Sequence, residues 1–108
     1  IRLYSLRNGL DLEPKAAAHF TRRQLADSLR SRSPYSVNVL LGGVGVDKQP
    51  QLYWLDYLAA LTQVPFAAHG YASYFVLSLM DRHYRKGMTQ AEALELLQKC
   101  LRELAQRF

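Results

Sequence analysis

Ala18, Thr21, Leu25 and Leu29 recur at helical spacing, so the chain from Pro14 to about Arg32 is predicted to be a helix with these four on its core stripe. Pro14 suits the first helical turn, where its missing N–H costs nothing, and Ala16, Ala17 and Ala18 follow with high helix propensity. Phe20 points roughly 160° away from the stripe at about 100° per residue. Its ring is therefore either exposed or contacted from a second side, as in an assembly. Ser33-Pro34 stops the helix, because the residue before a proline disfavours the α region. Ahead of it, Ile1 to Arg7 reads as the end of another helix, closed by Asn8-Gly9. The expectation is that this first helix begins upstream of Ile1 and that the chain is processed, excised or incomplete.

The pattern then changes. Tyr35 to Val44 is a β-rich run that becomes almost continuously apolar, as strands buried on both faces do. Asp47-Lys48-Gln49-Pro50 is a turn, and Gln51 to Tyr57 is the returning strand of a hairpin. Thr62 to Ala68 gives a shorter extended piece, with Pro65 at an edge or strand end because it lacks a ladder donor. From Gly70 to about Tyr84 the chain is apolar nearly all round, which predicts a buried helix broken by Arg85-Lys86-Gly87. Thr89 and Glu92 form a capping box for a final amphipathic helix. Its inward face carries Ala93, Leu97, Cys100, Leu101, Leu104 and Phe108.

Helices flanking a hairpin, without alternating βαβ units, define an α+β layered domain. Two strands and a short third make a poor sheet, so all 108 residues read as a single incomplete domain, a segment of a larger one. The formal charge of +5 suits an acidic protein surface as well as nucleic acid and decides nothing alone. The lone Cys100 excludes an internal disulfide and points to a reducing compartment. No apolar run approaches a membrane span. The expectation is a soluble, intracellular domain without a membrane partner.

Candidate chemistry is sparse. Gly42-Gly43-Val44-Gly45 is followed by a turn and a strand, not by the helix N-terminus that a phosphate loop requires, so its glycines are read as strand-end or bulge residues. His69 and Ser73 are four apart, but Asp81 lies too far along a rigid helix to orient the histidine in a triad. His19, His69 and His83 have no metal-ligand spacing, so neither a metal nor a cofactor is expected. Asp11 and Glu13 flank a helix start, where negative charge suits the dipole. Arg22, Arg23, Arg30 and Arg32 are the real basic cluster. They are read as spread around the helix, which fits a solvated or inter-subunit face better than a nucleic-acid surface.

Long stretches then carry a resemblance. Arg7-Asn8-Gly9, Ala16 through Arg32, Pro34 through Asn38, Asp56 through Leu61, Pro65 through Tyr71 and Glu95 through Leu101 together strongly resemble the proteasome subunit beta type-2 family. The likeness runs through essentially the whole chain. It departs at Glu13, where a serine cap is expected before Pro14, and at Gly43 to Asp47 in the hairpin turn.

The resemblance implies the four-layer αββα sandwich of the N-terminal nucleophile hydrolases, with this chain as its middle and later part and the opening and closing strands absent. Active members use an N-terminal threonine, whereas this chain begins at Ile1, in what reads as a helix. They also typically carry Gly-Ser-Gly-Ser where this chain has Gly70-Tyr71-Ala72-Ser73, so Tyr71 replaces a serine that supports the nucleophile. The implied role is a non-catalytic structural subunit of the 20S core in ubiquitin-dependent proteolysis. No residue of this chain is expected to be catalytic. The implied partners are alpha and beta subunits, and the implied location is cytoplasm and nucleus. Aromatic and arginine residues anchor most interfaces, which makes Phe20, Arg22, Arg23 and Arg30 the candidate contact residues. The competing readings are a piece of an active threonine-type endopeptidase and an independent basic helical binding module.

Overall fold

The computed structural model describes residues 1–8, 12–31 and 36–108. The features expected at Gly9, Asp11, Arg32, Ser33, Pro34 and Tyr35 lie outside them. The elements are α1 (Arg2–Asn8), α2 (Pro14–Leu29), β1 (Val39–Val44), β2 (Pro50–Leu55), β3 (Leu61–Gln63), α3 (Ser73–His83) and α4 (Gln90–Arg107). They fall into two compact units, Ile1–Pro65 and Phe66–Phe108. The mixture of helix and strand is α+β, as the pattern predicts.

In the first unit, β1, β2 and β3 form an antiparallel sheet in chain order, with Leu41 opposite Tyr53 and Leu55 opposite both Val39 and Leu61. Helix α2 covers one face. Ala18 and Leu25 of the predicted stripe are buried against Tyr53, Leu55 and Ala59, with Val39, Leu41 and Leu61 around them. Leu55 is the centre of this core at 0% exposure. Leu29 is exposed instead of buried, because α2 ends at that residue, while Ala17 at the other end is buried.

The expectation that β1 is buried on both faces is wrong for the chain as described. The strand alternates between half-buried and exposed positions. Side chains point to opposite faces in turn, and α2 covers the face of Val39, Leu41 and Gly43. Leu40 and Val44 point the other way and are exposed. The register places Leu40 beside Trp54 and Gly42 beside Leu52 on that second face.

The same turn design joins both hairpins. The Lys48 N–H donates to the Gly45 carbonyl (2.9 Å) and the Ala59 N–H to the Asp56 carbonyl (3.0 Å). Lys48 and Ala59, the last loop residues, both have positive φ, the arrangement of a type I turn followed by a left-handed residue. The second turn takes Asp56 and Tyr57 out of the strand expected there, because the Asp56 Oδ1 accepts from the Leu58 and Ala60 N–H groups. β3 is shorter than expected. The Val64 N–H adds one more bond to the Leu52 carbonyl, and Pro65, without an N–H, ends the pairing.

The second unit is a helical hairpin. Val76 and Met80 of α3 and Leu96 and Cys100 of α4 form its buried core. Phe66 packs on Tyr84 with ring centroids 5.2 Å apart, and Phe75 meets Phe108 edge-on at 5.3 Å. The capping box forms as read from the sequence: the Glu92 N–H donates to the Thr89 Oγ1 and the Thr89 N–H to the Glu92 carboxylate, both at 3.2 Å. The Glu92 carboxylate also pairs with Arg85.

Two expectations fail in this unit. α3 is not buried all round, since Tyr71 and Tyr74 are exposed and Leu77 is partly so. Tyrosine tolerates this because its hydroxyl can remain in water. The buried face of α4 is turned from the expected one. Leu96 and Cys100 are inside, while Leu97, Leu101 and Phe108 are exposed. Leu94, Leu96, Leu97 and Leu101 make an apolar arc wider than the side α4 turns toward α3, so spacing alone could not say which part is covered.

Candidate functional site

The outward side of α2 is the candidate. Its inward side is fixed by Pro14, Ala17, Ala18 and Leu25, all buried, and this dictates what the remaining positions present. Phe20 is 47% exposed, a large aromatic surface facing away from the core. Arg22, Arg23 and Arg30 are exposed as well. Among the described residues none of the three takes part in an ion pair.

The arginines do not spread around the helix as the sequence suggested. A spacing of seven residues returns nearly to the same side of an α-helix, so Arg23 and Arg30 lie almost in line and Arg22 falls within about 100° of both. Exposed Lys15 and His19 lie on the same arc. Sequence reasoning missed these two, although their helical spacing from Arg22 and Arg23 was the signal. Phe20 lies about 60° beyond Arg23. Arg30 ends the helix, its N–H donating to the Asp27 carbonyl at 3.3 Å, where positive charge also suits the dipole. The result is an aromatic ring edged by guanidinium forks, suited to an acidic protein surface with an apolar recess.

Among the described residues nothing comparable gathers around the hydroxyl and thiol groups. Thr21, Ser28, Ser31 and Ser73 each donate to a backbone carbonyl one turn earlier, Ser73 to Gly70 at 2.6 Å. Burial pushes the Cys100 thiol above its ordinary range, which disfavours the thiolate a nucleophile needs. Gly70 has a positive φ of 73°, which glycine adopts without cost, and it delivers the chain into α3 with Tyr71 81% exposed at its start. Among the described residues no group of three His, Cys, Asp or Glu side chains could hold a metal ion. The Gly42–Gly45 stretch lies in β1 and the following turn, with no helix after it.

A mixed α+β architecture, with a helix laid on an antiparallel sheet and a separate helical pair, defines the class in structural terms. Comparison with known proteins then gives the lineage: the proteasome subunit family matches residues 1–108. The chain is 55% identical over 107 residues to a probable proteasome subunit beta type-4 of Neurospora crassa, covering 98% of this chain and 53% of that protein. It is 48% identical over 108 residues to proteasome subunit beta type-4 of Saccharomyces cerevisiae, covering 99% and 54%. It is 50% identical over 107 residues to proteasome subunit beta type-2-B of Arabidopsis thaliana, covering 99% and 53%. The chain belongs to the proteasome subunit family, among its beta-type members. It spans about half the length of these curated relatives, which carry both type-2 and type-4 names.

Proposed function

We propose that this chain is the central and later part of a non-catalytic beta subunit of the 20S proteasome core. In this reading both compact units belong to one incomplete domain of the αββα sandwich type. The exposed apolar side of the sheet, with Leu40 and Val44, supports it, because a second sheet is what such a surface accepts. The observation that carries the non-catalytic reading is Tyr71, a bulky residue at the head of α3 where the resemblance implies a small nucleophile-supporting serine. The subunit's work is then to pack between alpha and beta neighbours in ATP- and ubiquitin-dependent protein degradation, in cytoplasm and nucleus. Phe20, Arg22, Arg23 and Arg30 provide part of that contact.

Alanine at Phe20, Arg22, Arg23 and Arg30 together, in the full-length subunit in cells, tests the assignment. The expected outcome is loss of assembled particles on a native gel while the free subunit stays folded. Normal assembly would remove the α2 face from the interface.

A further inference from the structure

Glu13 stands immediately before α2, where a capping side chain usually bonds back to the helix, yet it makes no such bond. Its carboxylate instead reaches the β1–β2 turn and accepts the Val46 N–H, at 3.1 Å to Oε1 and 3.3 Å to Oε2. The two groups are 33 residues apart in the chain. Val46 is the first loop residue of its turn, and the turn's own bonds run from the Lys48 N–H to the Gly45 carbonyl, from the Gly45 N–H to the Gln49 carbonyl and from the Gln49 N–H to the Asp47 Oδ1. Its N–H therefore has no acceptor inside the turn. Tyr57 holds the same place in the β2–β3 turn, and its N–H donates to another outside side chain, the Asn38 Oδ1, at 3.0 Å.

The glycine next to Val46 fits the same picture. A Cβ on Gly45 would lie 2.9 Å from the Glu13 Oε2, 3.0 Å from the Asp47 Oδ1 and 3.1 Å from the Gln51 Nε2. Two residues further back, a Cβ on Gly43 would lie 2.9 Å from the Pro14 ring. The start of α2 and the hairpin thus meet through two glycines and one carboxylate.

We propose that Glu13 is a latch that fastens the β1–β2 turn to the first turn of α2, its carboxylate lying with the Asp47 and Gln51 side-chain ends in the space a Gly45 side chain would enter. The latch holds the turn in one position although its tip, Val46, is 88% exposed and has no apolar packing to fix it.

The test is amide hydrogen exchange at Val46 in the full-length subunit, with the variants Glu13→Ala, Glu13→Gln, Gly45→Ala and the Glu13→Ala/Gly45→Ala double. Losing a hydrogen bond to a charged acceptor is expected to speed exchange about tenfold or more in Glu13→Ala. Glu13→Gln, which keeps one acceptor oxygen, gives a smaller increase. Gly45→Ala displaces the carboxylate and also speeds exchange, while the double variant resembles Glu13→Ala alone. Lys15→Ala, in the same helical turn, leaves Val46 unchanged. Unaltered protection in Glu13→Ala, or fully additive effects in the double variant, would overturn the proposal. Should Glu13→Ala fail to fold, unaltered protection in Glu13→Gln would do the same.

Discussion

The two units reach order by different means. In Ile1–Pro65 a helix lies on a sheet, and the turns are fastened by side chains far away in the chain: Glu13 on Val46 and Asn38 on Tyr57. In Phe66–Phe108 the Thr89–Glu92 capping box and the Arg85–Glu92 and Arg107–Glu103 pairs join near neighbours in the chain, and α3 meets α4 through apolar packing and the Arg107 guanidinium, 5.4 Å from the centre of the Phe75 ring. A β-turn bends the chain away from its own next acceptor and leaves an N–H exposed to whatever else is near. A helix supplies acceptors from its own preceding turn. The turns of the sheet unit therefore draw on distant polar partners that the capped start of α4 does not need.

The most severe way to probe this contrast is to empty each core. Leu55→Ala and Met80→Ala are each expected to lose about 2–5 kcal/mol in denaturant unfolding, since both residues are buried. If the units differ as described, Leu55→Ala also loosens the turn amides of Val46 and Tyr57, whereas Met80→Ala leaves them protected. Loosening by both variants alike would erase the distinction.

A smaller effect sharpens it. Asn38→Ala removes the partner of the Tyr57 N–H and is expected to cost about 0.5–1.5 kcal/mol. Thr89→Ala removes a cap and should cost about 1 kcal/mol. The totals are similar but the footprints are not. Exchange should rise at the β2–β3 turn in the first case and at the start of α4 in the second.

The mildest test concerns Cys100, buried in the helical core. Desolvation raises its thiol pKa above the ordinary value of 9.0. The unfolded chain therefore gives up this proton first, so the contribution to stability is complete below about pH 9 and falls as pH rises beyond it. Urea melts at rising alkaline pH should show this decline, and Cys100→Ala should flatten it. An identical decline in Cys100→Ala would assign it to other groups.

What was legible in the sequence follows the same division. The capping box at Thr89, the proline start of α2 and the buried Ala18 and Leu25 were all visible, because each depends on neighbours within a few residues. The hairpin was legible from its β-rich runs and the turn residues between them, although the alternation of β1 was not. The latch was not, since no local spacing links Glu13 to Val46. The faces of α3 and α4 were misread for another reason: the apolar arcs are wider than the partner within the unit, so periodicity could not choose the covered part. On α2 the helical period, followed to Arg30, would have placed the arginines together. Tyr71 was legible only through resemblance, because exposure at a helix start says nothing of chemistry without a counterpart to compare.

On the proposed function, the subunit is built into the particle and does no chemistry of its own. The most direct test is to isolate proteasomes through a tag on the full-length subunit and treat them with an electrophile that labels N-terminal threonines. Alpha and beta subunits are expected to co-purify, with other beta subunits labelled and this one not. Label on this subunit, or its recovery without proteasome partners, would contradict it.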